Sequence, residues 1–205
     1  MNETPHHPRT SHTRRPARRQ HRTPPGTGTL GMWLFLAALT MLFGSTLVGY
    51  IIVRLRPDFG PPVGTIPLPA TFWGSTAIIL LASFTMHRAV QNVRAERQTR
   101  FRTALALTLL LSVAFLLLQA PGMAALLNDH FANTTTALYG LVFMLVIVHA
   151  AHVIGGLIPL GVITAKANQG RYDHEHHAPV KHIAMYWHFL DAVWIVMFFV
   201  LMVMG

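Results

Sequence analysis

The sequence predicts an all-α fold, a polytopic membrane bundle of five transmembrane helices with the N-terminus inside and the C-terminus outside. Composition gives the first reason: of 205 residues, 52% are hydrophobic and only 11% charged, and the mean hydropathy is +0.43. The second is distribution, because the apolar residues form five blocks of about 20 residues or more, enough to cross roughly 30 Å of hydrocarbon. The third is the placement of positive charge, which alternates from one end of the blocks to the other.

Residues 1–29 precede the first block. They hold Arg9, Arg14, Arg15, Arg18, Arg19 and Arg22, with many prolines and histidines and almost no apolar side chain. Such a tail is expected to be disordered, to keep its end of the chain in the cytoplasm and to touch anionic headgroups. No aromatic residue is interleaved with the arginines, so nucleic acid is not an expected partner. The stretch lacks the apolar core of a secretory signal.

Residues 30–205 then form the membrane domain. Leu30–Val53 is the first block, followed by Arg54 and Arg56. Pro67–Met86 begins at a Leu-Pro pair, carries several Ser and Thr residues, and runs into Arg88, Arg94, Arg97, Arg100 and Arg102. Phe101–Leu127 ends near Asp129, where no basic residue stands, and Thr136–Ala165 leads to Lys166, Arg171 and Lys181. Ile183–Gly205 is the last block. Tail and even-numbered loops together carry fourteen basic residues against two on the opposite side. By the positive-inside rule this sets the orientation.

Function must be sought in the few polar residues inside these blocks. The chain has no cysteine, which excludes disulfides, thiolate zinc sites and iron–sulfur ligation. In "VHAAHVIGG", His149 and His152 are three apart and share a helical face. Gly156 continues that stripe with Gly155 beside it, and small residues admit a neighbouring helix. In the last block His188 and Asp191 are also three apart, between Trp187 and Trp194. An aspartate at a helix centre in lipid costs roughly 2.5–3.5 kcal/mol. A carboxylate that accepts from an imidazole or indole N–H offsets that cost.

Three readings suit these residues: interhelical hydrogen bonds joining the fourth and fifth helices, a cleft for lipid headgroups, or metal or haem ligation. Two histidines on one helical turn offer one edge of a metal site, and a complete site needs more ligands. Asp191 is the only acidic residue clearly inside a block, so no carboxylate chain crosses the membrane. His149 and Arg54 read as unpaired polar groups that mark surfaces for lipid or protein. The loop "DHEHHAPVKH" places His174, His176, His177 and His182 beside Asp173 and Glu175; such a cluster can bind a transition metal or exchange protons near neutral pH, and the preferred reading is a solvated loop that holds histidines incidentally. There is no phosphate-binding glycine loop, nucleophile elbow or pair of catalytic carboxylates.

Several of these stretches resemble the subunit III family of haem–copper terminal oxidases. "YWHFLDAVW" is similar to the family's closing Tyr-Trp-His-Phe-x-Asp-x-x-Trp motif, and "HAAHVIGG" to its His-x-x-His-Val-x-x-Gly helix. "LPATFWGSTAIILLASFTMH", "GMWLFLA" with Tyr50 and Arg54, and "FLLLQ" ending at Gln119 resemble its other helices. The resemblance spans roughly residues 30–205, in the short five-helix form.

It implies a non-catalytic accessory subunit of a bacterial oxidase, multi-pass in the inner membrane and serving aerobic electron transport. Its implied partners are oxidase subunits I and II and phospholipids held in a cleft. Haem and copper would reside in those partner subunits, with none in this chain. The implied work is to support proton uptake and turnover stability of subunit I. Arg54, His149, His152, Trp187, His188, Asp191 and Trp194 then read as lipid-binding or interhelical polar residues. Two positions depart from the family: Leu39 and Gly122 stand where buried glutamates are usual. Such a branch also admits an accessory protein of a nitric oxide reductase; a free-standing membrane transporter is the reading from another class.

Overall fold

The computed structural model describes residues 27–56, 71–132, 137–170 and 178–204. Five α-helices follow one another: α1 (Thr27–Arg54), α2 (Thr71–Arg94), α3 (Gln98–Ala132), α4 (Ala137–Asn168) and α5 (Ala178–Met204). All but the first few residues of the basic tail's end lie as expected: α1 starts at Thr27, three residues before the boundary expected at 30. Residues 1–26 and His174, His176 and His177 lie outside the described residues.

The helix ends follow from local chemistry. Glu96 adopts the left-handed conformation (φ 58°) after α2, and Arg97 N–H reaches back to Asn92 O at 3.0 Å. That is the Schellman closure, here with a non-glycine residue at the left-handed position. The chain therefore turns into α3 within three residues. α4 stops at Gly170 (φ 73°), where glycine takes the same conformation without a Cβ penalty. Pro121 in α3 and Pro159 in α4 lie inside helices, so each leaves one carbonyl of the preceding turn without its helical donor.

Neighbouring helices alternate in direction. Phe72 lies against Gly122, and Thr85 Oγ1 is 2.9 Å from Thr108 Oγ1, so α2 and α3 are antiparallel. Gly156 meets Tyr186 and Trp187, while His149 meets Trp194, so α4 and α5 are antiparallel. α1 and α5 run parallel, joined at one end by Thr29 Oγ1 and His182 Nε2 (3.1 Å) and at the other by Arg54 Nε donating to Met204 O. α4 and α5 occupy the middle: α1 packs on one side of them and the α2–α3 hairpin on the other.

Among the described residues, four helices are long and apolar enough to cross a membrane: α1, α5, and the 98–124 and 140–168 stretches of α3 and α4. The sequence reading expected five. α2 falls short because its second half runs into His87, Arg88, Gln91, Asn92 and Arg94. Three of its hydroxyls are satisfied within the helix: Ser75 and Thr76 donate to Phe72 O and Thr85 to Ala82 O. Such back-bonding relieves the cost of polar atoms in an apolar setting.

Candidate functional site

Trp194 is the centre of the bundle. It is 2% exposed, and edge-on rings from two helices enclose it: Phe72 of α2 at 5.8 Å and Phe115 of α3 at 5.4 Å. The His149 ring of α4 lies beside it, tilted, at 5.3 Å. Edge-to-face contacts of this kind add to burial because ring edges are positive and faces negative. The indole Nε1 donates to Thr76 Oγ1 on α2 at 3.1 Å. Three helices, α2, α3 and α4, thus converge on one side chain of α5.

The expected pair His188 and Asp191 lies within ion-pair range, but no hydrogen bond joins the two side chains. His188 Nδ1 is 3.9 Å from Asp191 Oδ2, beyond hydrogen-bonding distance, and lies 2.8 Å from Ser83 Oγ on α2. One ring nitrogen serves one short contact, and Ser83 takes it. Trp194 is turned toward α2 by its aromatic neighbours, and Trp187 Nε1 is buried without a partner among the described residues. Both carboxylate oxygens of Asp191 are likewise buried and make no hydrogen bond there.

His149 and His152 do share a neighbour, since the Phe43 ring lies 6.1 Å from one and 5.4 Å from the other. Their environments differ, however. His149 is 1% exposed, enclosed by aromatic rings, with neither ring nitrogen bonded among the described residues. It belongs to the interior and not to a surface for lipid or protein. His152 lines a groove between α1, α4 and α5, and its Nδ1 contacts Val148 O at 2.7 Å. Tyr186 Oη donates to His152 O at 2.8 Å, joining α5 to α4. Arg54 is buried and bonded to the end of α5, which corrects its reading as unpaired.

The two glycines of "VIGG" separate as well. A Cβ at Gly156 would stand 2.7 Å from Tyr186 and 3.0 Å from Trp187, so α5 closes onto the backbone there. Gly155 has nothing within 4 Å of that position and borders the His152 groove.

Sequence reasoning missed Thr76 and Ser83, the partners of Trp194 and His188. Their spacing was a usable signal: seven residues apart on one helix, they lie on one face. It also gave no role to Tyr186 or Phe115. Among the described residues no three His, Cys, Asp or Glu side chains converge as a metal site would require. Pairing, positioning and packing are what this arrangement does.

The sequence profile described as Cytochrome c oxidase subunit III matches residues 19–205. The chain belongs to that family. Among its relatives, the cytochrome c oxidase subunit 3 of Bacillus sp. (strain PS3) is 30% identical over 86% of this chain and 85% of its own length. The cytochrome c oxidase subunit 3 of a Synechocystis strain is 30% identical, over 87% and 76% respectively. The cytochrome bo(3) ubiquinol oxidase subunit 3 of Pseudomonas aeruginosa is 29% identical, over 88% and 86%. This subunit III family member is therefore an accessory subunit of a terminal oxidase and a multi-pass membrane protein. At Gly122, where the resemblance implies a glutamate, the structure leaves little room. A Cβ at Gly122 would meet Phe72 at 3.0 Å, so the Trp194 cluster fills the space a longer side chain would need.

Proposed function

We propose that this chain stabilises the catalytic subunit of a bacterial haem–copper oxidase during turnover and sustains its proton uptake, without a redox centre of its own. The family match along residues 19–205 carries this reading. Haem and copper belong to subunits I and II, the partners in the inner membrane, and phospholipids fill the grooves beside α1. Among the candidate residues, Arg54, Trp194, His188 and the backbone of His152 join helices to one another, while His149, Trp187 and Asp191 are buried in the interior.

Five crossings belong to the same proposal. Parallel α1 and α5 require an odd number of passages between them, and α2, α3 and α4 alternate in direction. At 1.5 Å per residue the 24 residues of α2 reach about 36 Å, enough to span the hydrocarbon. With the fourteen-to-two charge asymmetry this puts the N-terminus inside and the C-terminus outside.

Purification of the native complex through a tag on this chain, in mild detergent, tests the reading. Mass spectrometry should find an oxidase subunit I beside it, and removal of this chain should leave the haem spectrum intact while activity decays faster over repeated turnovers. Recovery of nitric oxide reductase subunits favours the alternative partner. Recovery of the chain alone rejects the accessory reading and restores the transporter.

A further inference from the structure

The end of the bundle at the α2–α3 turn holds a cavity of about 430 Å³ that the residues discussed so far do not use. Arg88, Arg97 and Arg100 line it with Asn92 and Thr99, and no carboxylate does. From Arg88 to Arg102 the chain has five arginines and one acid, Glu96, which lies at the adjoining surface. The Arg88 guanidinium is seated over the Phe84 ring, 4.9 Å from its centroid, which fixes its stem along the helix. We infer that this cavity binds the phosphate of an anionic membrane lipid.

Three features support phosphate as the group bound. Guanidinium forks match phosphate oxygens in pairs, and a site that presents three of them with no acid in its lining favours an anion. Asn92 and Thr99 add neutral donors of the kind that complete a phosphate's shell. The first turn of α3 also begins here. Among the described residues the N–H groups of Thr99 and Arg100 meet no backbone carbonyl, and their positive end of the helix adds to the field.

The surroundings identify the carrier. Leu107 lines the cavity, and Leu81, Phe84 and Leu110 are exposed on the same two helices, within about two turns of its lining residues. A free phosphate would leave that apolar strip bare. A glycerophospholipid covers it with acyl chains while its headgroup meets the arginines. The site rests on the membrane reading of the helices and on none of the residues around Trp194. Its occupant would sit in the leaflet nearest the α2–α3 turn.

Native mass spectrometry of the full-length protein, with whatever co-assembles, released from nanodiscs of phosphatidylcholine with phosphatidylglycerol, tests this. The wild type should retain one phosphatidylglycerol, and an Arg97→Gln/Arg100→Gln variant should lose retention on the order of tenfold. An Arg56→Gln/Arg94→Gln variant, with equal loss of charge outside the cavity, should stay within about twofold of wild type. An Arg97→Lys/Arg100→Lys variant should retain an intermediate amount, which separates loss of the anion site from loss of fold. Excess inorganic phosphate should not displace the lipid. Equal losses in the two glutamine variants, no retained phosphatidylglycerol, or displacement by phosphate alone each overturn the inference. The recovered partners are read from the same sample, so failure of the oxidase reading is scored separately.

Discussion

Nδ1 of His188 stands 3.9 Å from Oδ2 of Asp191, one turn further along α5, and makes its short contact to another helix, at Ser83. Two polar residues that look like a pair in the sequence are thus separated in their work. His188 ties α5 to α2. Asp191 is enclosed, with neither oxygen bonded among the described residues.

The separation predicts opposite costs for two substitutions. Ser83→Ala removes a partner that His188 uses, and such interhelical bonds in lipid average about 0.6 kcal/mol. Asp191→Ala removes a carboxyl that makes no hydrogen bond among the described residues, only the longer contact to His188, so the penalty for an orphaned donor is expected to be smaller. Thermal unfolding in detergent should show the larger loss for Ser83→Ala. A larger loss for Asp191→Ala would show that the carboxyl holds a partner in the assembled complex.

Gly155 and Gly156 should also differ. A methyl at 156 enters the space of Tyr186 and Trp187, whereas at 155 it meets nothing. Overpacking of this kind costs about 1–3 kcal/mol. Gly156→Ala should therefore lower the midpoint of thermal unfolding and weaken retention in the complex, with Gly155→Ala close to wild type. Equal behaviour of the two would mean that α4 and α5 do not close at this point.

Much of this architecture was legible in the sequence because apolar blocks report membrane helices directly. Four helices came within about five residues of their expected bounds, α2 ran on past Met86 to Arg94, and the closing motif carried the family. What stayed hidden was pairing. Periodicity places Asp191 and His188 on one face of one helix, but it does not tell which neighbouring helix offers a closer donor. Thr76 and Ser83 were concealed in a block read only as Ser/Thr-bearing, and the polar end of α2 made that block the least membrane-like of the five. Arg54 looked exposed at a helix end, since nothing in its own sequence neighbourhood announces the end of α5, 150 residues away.

Carboxyl chemistry gives a further expectation. Leu39 is buried in α1 at the place where the resemblance implies an acid, and α1 contains no Asp or Glu. A hydrophobic carbodiimide should leave α1 unlabelled, and label found in the membrane interior of this subunit should map to Asp191. Leu39→Glu should create a new labelled peptide in α1. Gly122→Glu should instead reduce the yield of folded protein, because its Cβ alone already presses on Phe72. Labelling of wild-type α1 would contradict the buried, acid-free character of that helix.

The number of crossings remains the most direct test of the whole arrangement. With only the four apolar helices spanning, both ends of the chain lie on one side of the membrane. With α2 spanning too, they lie on opposite sides. The bonds from Thr29 to His182 and from Arg54 to Met204 make α1 and α5 parallel, which an even number of crossings forbids. By the positive-inside rule, the fourteen basic residues assigned to the N-terminal side predict that side to be cytoplasmic. A periplasm-active reporter fused after Gly205 should be active, and one fused after Arg97 should be silent. Activity after Arg97 with silence after Gly205 would overturn the arrangement, and a reporter fused before Thr27 then separates the causes: activity there inverts the protein, and silence there removes α2 from the membrane and breaks the parallel pairing of α1 with α5.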